Sequence, residues 1–141
     1  IKDMSGFCAE NGISQVSLDA LVSQSDVLSV HLPKNKATEG IISKELLSKM
    51  KSGSYLINSA RGGLVDEAAV RELLDLEHLA GAAFDVLNEE PPLNTNFINH
   101  PKVLVTTHIA GSSHEAILAM GRAAIKGLKV NARASSFSIF Q

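Results

Sequence analysis

Short apolar runs alternate with amphipathic stretches along the chain, and each change of period predicts a new element. Val27-Leu28-Ser29-Val30-His31-Leu32 predicts a strand, closed by Pro33 because proline cannot donate to a ladder. Ser43 predicts a helix N-cap, since its hydroxyl can accept from first-turn amides, and the helix runs through Met50 until Lys51-Ser52-Gly53 stops it. Ser54 to Asn58, with its tyrosine and aliphatic residues, predicts the second strand. From Asp66 to about Glu77 a helix is expected, with Ala69, Leu73 and Leu76 on one face and Glu67, Arg71 and Glu72 largely elsewhere. Ala80 to Leu87 and Val103 to Thr107 predict the third and fourth strands, with a Pro/Asn loop from Asn88 to Pro101 between them. Ser113 caps a last helix carrying Ile117, Met120, Ala124 and Leu128 at helical spacing. Upstream, the pattern predicts a helix over 2–11, a short strand near 13–16 and a helix over 18–24. The tail from Ala132 to Gln141 has no clear period, and there is no internal repeat.

Near-continuous apolar strands alternating with helices predict an α/β fold, a parallel sheet with helices on both faces and right-handed crossovers. Ligands of such sheets bind at the carboxyl ends of the strands. His31 lies at that end of the first strand, and Asn58-Ser59-Ala60-Arg61-Gly62-Gly63 spans the end of the second. Asp85 lies at the end of the third, with Glu89, Glu90 and Pro91 just beyond, and His108-Ile109-Ala110-Gly111 follows the fourth. One sheet edge thus gathers two imidazoles, a guanidinium and several carboxylates from distant parts of the chain. Arg61 presents a planar fork suited to a carboxylate. His108 is the natural proton carrier near neutral pH, and Glu90 could accept from the far nitrogen of its ring and fix the tautomer. A carboxylate-holding arginine beside a carboxylate-supported histidine suits redox chemistry at the carbon next to a carboxylate.

Composition removes other classes. The chain has 141 residues, 13 basic and 15 acidic, a formal net charge of −2 that offers no electrostatic case for nucleic acid or an anionic membrane. No apolar run approaches the roughly 20 residues that span a bilayer, and the first residues carry no secretory signal pattern. A single cysteine, Cys8, cannot build a disulfide framework, so an inert thiol in a cytoplasmic protein is expected. His78 and His100 are expected at an exposed helix end and in a loop, and His114 facing solvent. A metal site from His100, His108, His114, Glu89 and Glu90 lacks tight ligand spacing, so no metal is expected. Asp66 is expected as a helix N-cap with Glu67 in the first turn, and Gly62 and Gly63 as a tight turn out of the strand.

Four segments now resemble the D-isomer-specific 2-hydroxyacid dehydrogenase family: SDVLSVHLP at 25–33, LINSARGGLVDEAAV at 56–70, LAGAAFDVLNEEPP at 79–92 and VLVTTHIAGSSHEA at 103–116. The resemblance runs from about Ser17 to Leu128. It implies a Rossmann-like domain that binds NAD, with NADP not distinguished, and a small 2-hydroxy or 2-keto acid substrate. It implies that Arg61 binds the substrate carboxylate, that His108 exchanges the proton at the keto or hydroxyl oxygen, and that Glu90 pairs with that histidine. By the same resemblance Asp85 lies near the nicotinamide carboxamide, Ser59, Ala60 and Gly111 pack at the nicotinamide, and His31 and Pro33 bracket the adenosine end. Two positions depart from the family pattern: Thr107 stands where proline is usual and Leu87 where phenylalanine is common. The Gly-rich GxGxxG turn of the family's first βαβ unit is not in this sequence; the acidic residue that holds the adenine ribose normally follows it by about 20 residues, and Ile1 is expected to begin just after that point. Residues 1–131 are therefore expected to be the later part of a dinucleotide-binding domain, and 132–141 an irregular tail. The resemblance leaves as alternatives a non-catalytic, corepressor-like dinucleotide module and a truncated, inactive fragment. With no earlier strand to pair with, the strand ending at His31 is expected to be an open edge that exposes Val27, Leu28 and Val30 and either drives homo-oligomer formation or is covered by the tail folding back onto it.

Overall fold

A computed structural model of the chain describes residues 4–130. It divides into two compact units, Ile1–Thr107 and His108–Gln141. The tail expected at 132–141 lies outside the described residues.

The first unit is built on a four-stranded parallel sheet in the order β1-β2-β3-β4: β1 Val27–Val30, β2 Ser54–Asn58, β3 Leu79–Phe84 and β4 Val103–Val105. Helices α1 Ser5–Glu10, α2 Leu18–Gln24, α3 Lys44–Leu47 and α4 Glu67–Asp75 belong to the same unit. Period-two alternation decides which side chains meet the helices. Leu28, Leu56 and Ala82 stand side by side in the register, as do Val30, Asn58 and Phe84, and all six are buried. Val22 of α2, Leu46 and Leu47 of α3, and Val70, Leu73 and Leu74 of α4 complete one core with them. Each buried Leu, Val or Phe contributes about 1.5–3 kcal/mol relative to an exposed one. Within this unit α2, α3 and α4 pack on one face of the sheet. The other face carries Val27, Tyr55 and Leu104, which are 54%, 51% and 66% exposed.

Capping follows the sequence closely. Ser17 Oγ accepts from the Ala20 amide at 3.2 Å, and Ser43 Oγ from the Leu46 amide at 3.4 Å. Asp66 Oδ1 accepts from the Ala69 amide at 3.0 Å. Each satisfies one of the free donors at a helix start. Helix α4 stops short of the expected Glu77 because that residue turns to a φ of 58°. Leu76, expected on its apolar face, is 68% exposed as the helix ends beneath it.

Other expectations need correction. The strand near 13–16 does not form: residues 13–17 are irregular, and Ile13 and Val16 are exposed. A lone extended segment without a partner ladder leaves its backbone groups to water. The third and fourth strands end earlier than expected, at Phe84 and Val105, because the chain turns away to place Asp85 and Thr106. The β1 strand is indeed at the sheet edge among the described residues, and Val27 is exposed. Leu28 and Val30 are each only 4% exposed, since their side chains point under the helices and an edge bares backbone rather than the core face.

In the second unit, α5 His114–Val130 follows Ser113, whose Oγ accepts from the Ala116 amide at 3.1 Å. Ile117, Met120, Ile125 and Leu128 are exposed along it.

Candidate active site

The carboxyl ends of β1 and β2 meet in a cleft of about 510 Å³ lined by His31, Leu32, Pro33, Lys34, Ser59, Ala60 and Arg61. Five residues expected at the site, His31, Pro33, Ser59, Ala60 and Arg61, therefore share one surface. Ser29 and His31 point the same way from alternate positions, and the serine Oγ lies 2.8 Å from His31 Nε2. Asn58, 1% exposed at the end of β2, shapes the turn that follows: its Oδ1 accepts from the Ala60 amide at 3.1 Å and its Nδ2 donates to the Arg61 carbonyl at 3.1 Å. Arg61 then projects outward, its Nη1 donating to the Ala60 carbonyl at 2.6 Å. No ion pair among the described residues uses Arg61, and no carboxylate lines this cleft. Lys34, which the sequence reading passed over, brings a second cation and pairs with Glu39 at 3.2 Å.

A second cavity, of about 310 Å³, lies at the ends of β3 and β4 and is lined by Asp85, Leu87, Glu90, Pro91, Thr106 and Thr107 among others. Asp85 is 8% exposed; its amide donates to the Asn58 carbonyl at 3.0 Å, and Thr106 Oγ1 donates to its Oδ1 at 2.5 Å. A charge-assisted bond of this length fixes the carboxylate in place. Glu90 is exposed and precedes a cis peptide bond to Pro91; its Oε1 accepts from the Leu87 amide at 2.8 Å. Thr107 lies beyond the end of β4 and lines this cavity.

The two loops are fastened together. Gly63, at a φ of 78°, donates its amide to Asn88 Oδ1 at 2.5 Å, and the Asn88 amide donates to Glu67 Oε1 at 2.7 Å. Gly62 lies so close to the Leu87 carbonyl that no side chain would fit. Burial pushes the Glu67 carboxyl above its ordinary value, opposed by the Asn88 amide that bonds it. The glycines were expected from the turn alone; their seat against residues 87 and 88 was not. An Asx signal could have pointed to Asn58, two residues before the amide it accepts from. Nothing local points to Asn88, whose partners are 25 and 21 residues away.

His108 opens the second unit in the left-handed region, at a φ of 58°. Such a conformation costs a non-glycine residue about 1–3 kcal/mol and recurs at functional positions. Gly111 is exposed in the same unit.

Two histidines are corrected. The side chain of His100 is 10% exposed; its Nε2 faces Asp75 Oδ1 at 3.2 Å and its Nδ1 accepts from the Lys102 amide at 3.1 Å. His78 is half-buried, with Nε2 2.9 Å from the Met50 carbonyl. Both reach a backbone partner beside a buried sheet, which a loop reading does not foresee. His114 is exposed. Among the described residues no cluster of three or more His, Cys, Asp or Glu could hold a metal, and no helix is long and apolar enough to cross a membrane.

Comparison with known proteins places these loops in context. Residues 2–110 match the family described as D-isomer specific 2-hydroxyacid dehydrogenase, NAD binding domain. The chain is 42% identical over 107 residues to D-3-phosphoglycerate dehydrogenase of Bacillus subtilis, covering 76% of this chain and 20% of that protein. It is 44% identical over 111 residues to D-3-phosphoglycerate dehydrogenase of Archaeoglobus fulgidus, covering 78% and 21%. The chain thus spans about a fifth of the length of these curated relatives. Among solved structures, D-lactate dehydrogenase of Aquifex aeolicus, complexed with NAD and lactic acid, superimposes with a TM-score of 0.77 at 30% identity, covering 92% of this chain and 43% of that one.

Proposed function

The chain belongs to the D-isomer-specific 2-hydroxyacid dehydrogenase family as its NAD-binding domain, and from that premise we propose that it carries the catalytic edge of an oxidoreductase interconverting a 2-hydroxy acid and its 2-keto acid. The observation that carries the reading is the cleft around Arg61: a guanidinium with no ion-pair partner among the described residues, beside His31, Ser59 and Lys34, with no carboxylate in the lining. Such a donor set suits a nucleotide cofactor and an anionic acid, which bring phosphate, hydroxyl and carboxylate oxygens to the same edge.

When bound, the nicotinamide of NAD supplies the hydride to C2 of the keto acid or accepts it from the hydroxy acid. Arg61 holds the substrate carboxylate through paired N–H···O bonds. His108 donates a proton to the keto oxygen during reduction and removes the hydroxyl proton during oxidation. Keto acid, hydride and proton therefore balance to the hydroxy acid. By the family resemblance Glu90 is the carboxylate that would set the roles of the His108 ring nitrogens. Asp85, held by Thr106, would orient the carboxamide. Ser59, Ala60 and Gly111 are the residues that would hold the nicotinamide end, and His31 and Pro33 the adenosine end.

The deciding experiment replaces His108 with Ala. Turnover of a 2-keto acid with NADH should fall by about 10²–10⁴, while NADH affinity measured by fluorescence stays within about twofold. Undiminished turnover refutes the role of His108. NADH binding without turnover in the unsubstituted protein identifies a dinucleotide-binding module instead.

A further inference from the structure

We propose that Asn88 is a positioning residue that holds the Arg61 loop and the Glu90 loop in fixed register. The inference rests on the roles proposed above for Arg61 and Glu90. Arg61 and Glu90 are both exposed, on separate loops that leave β2 and β3. An exposed arginine or glutamate on a free loop samples many rotamers, and catalysis needs their separation fixed to within about 0.5 Å. Asn88 supplies that restraint. Its side-chain oxygen takes the Gly63 amide at 2.5 Å, two residues after Arg61, and it stands two residues before Glu90. Its own amide is anchored on Glu67 Oε1 at 2.7 Å, in the first turn of α4. The packing of Gly62 on the Leu87 carbonyl brings the loops to the distance at which this bond forms.

The residue type fits the task. Its short side chain carries an oxygen that accepts from Gly63, a feature aspartate shares. Gly63 meets the bond at a φ of 78°, a conformation that glycine adopts freely. The restraint is removable, because Asn88 lies on the surface and contributes nothing to the core. Its loss should therefore loosen the site without unfolding the sheet.

The test compares Asn88→Ala with Asn88→Asp, which keeps an oxygen where Gly63 needs one. In Asn88→Ala the Gly63 amide should exchange with solvent at least about tenfold faster by NMR. The KM for the keto acid should rise about tenfold or more, since a misplacement of about 1 Å can cost 10²-fold. NADH affinity should stay within about twofold. Asn88→Asp should restore both the Gly63 protection and the KM, an outcome that loss of stability alone does not produce. Unchanged Gly63 exchange in Asn88→Ala, or released Gly63 with an unchanged KM, overturns the proposal. If the unsubstituted protein turns over no keto acid, the functional reading fails on its own, and the Gly63 exchange rate alone decides whether the loops are joined through Asn88.

Discussion

Gly62→Ala probes the seam between the two loops most directly. A Cβ at this position would sit 2.6 Å from the carbonyl carbon of Leu87 and 3.1 Å from the Asn88 nitrogen, and closer still to the Leu87 oxygen. Real Cβ atoms essentially never approach within 3.0 Å of such a neighbour. The obstacle is backbone, so no side chain can swing aside, and one loop must retreat by about 1 Å. That retreat stretches the Gly63 to Asn88 bond from 2.5 Å to about 3.5 Å, past a useful hydrogen bond. Overpacking of this kind costs about 1–3 kcal/mol, and the lost bond about 0.5–1.5 kcal/mol more. The expected destabilisation is about 2–4 kcal/mol.

Urea denaturation followed by circular dichroism measures it. With a slope of about 2 kcal/mol/M, the midpoint should fall by about 1–2 M with the slope unchanged. Gly6→Ala serves as the control, since nothing lies within 4 Å of a Cβ there and the residue is helical. That variant should be neutral, or stabilising by about 0.5–1 kcal/mol. A Gly62→Ala midpoint equal to that of Gly6→Ala would show that the loops are not in contact as described and would remove the basis for a fixed separation between Arg61 and Glu90.

Two further outcomes follow from other parts of the structure. Burial raises the Glu67 carboxyl above its ordinary value, so the folded state keeps a proton that the unfolded chain has released, and stability is lost as pH rises through the folded-state value. Glu67→Gln keeps an acceptor for the Asn88 amide; it should match the parent below about pH 4 and be more stable near pH 7, and an equal difference at both pH values counts against the raised carboxyl. The open backbone edge of β1 predicts self-association, which Val27→Lys should weaken, because lysine on an edge opposes strand addition. Sedimentation equilibrium decides this, and a parent chain that is monomeric with β1 unpaired sinks the idea.

How much of this was visible in the residues depends on the range of the interactions. The strands were legible because parallel strands buried under helices read as apolar runs, and Ser54 to Asn58 matches β2 residue for residue. Three helix starts were legible because Ser43, Asp66 and Ser113 cap within three residues of themselves. The placement of His31, Arg61 and Asp85 at one sheet edge was legible because the parallel topology alone brings those ends together. What failed depended on partners far along the chain. His100 looks like a loop residue until Asp75 comes beside it, 25 positions earlier. The segment 13–16 has the composition of a strand but no ladder to join.

The same distinction separates the chemical groups from what holds them. Arg61, Glu90 and His108 stand out by type, since a guanidinium, a carboxylate and an imidazole advertise their chemistry in one letter each. Asn88, Glu67 and Thr106 carry no such signal. Each matters only through a bond to a residue 21 or 25 positions away, and in any other loop each would be an ordinary polar residue. Geometry at this edge is therefore set by residues chosen for reach. For that reason the separation of Arg61 from Glu90 should respond more to substitutions at Gly62, Gly63 and Asn88 than to any change in the core beneath them.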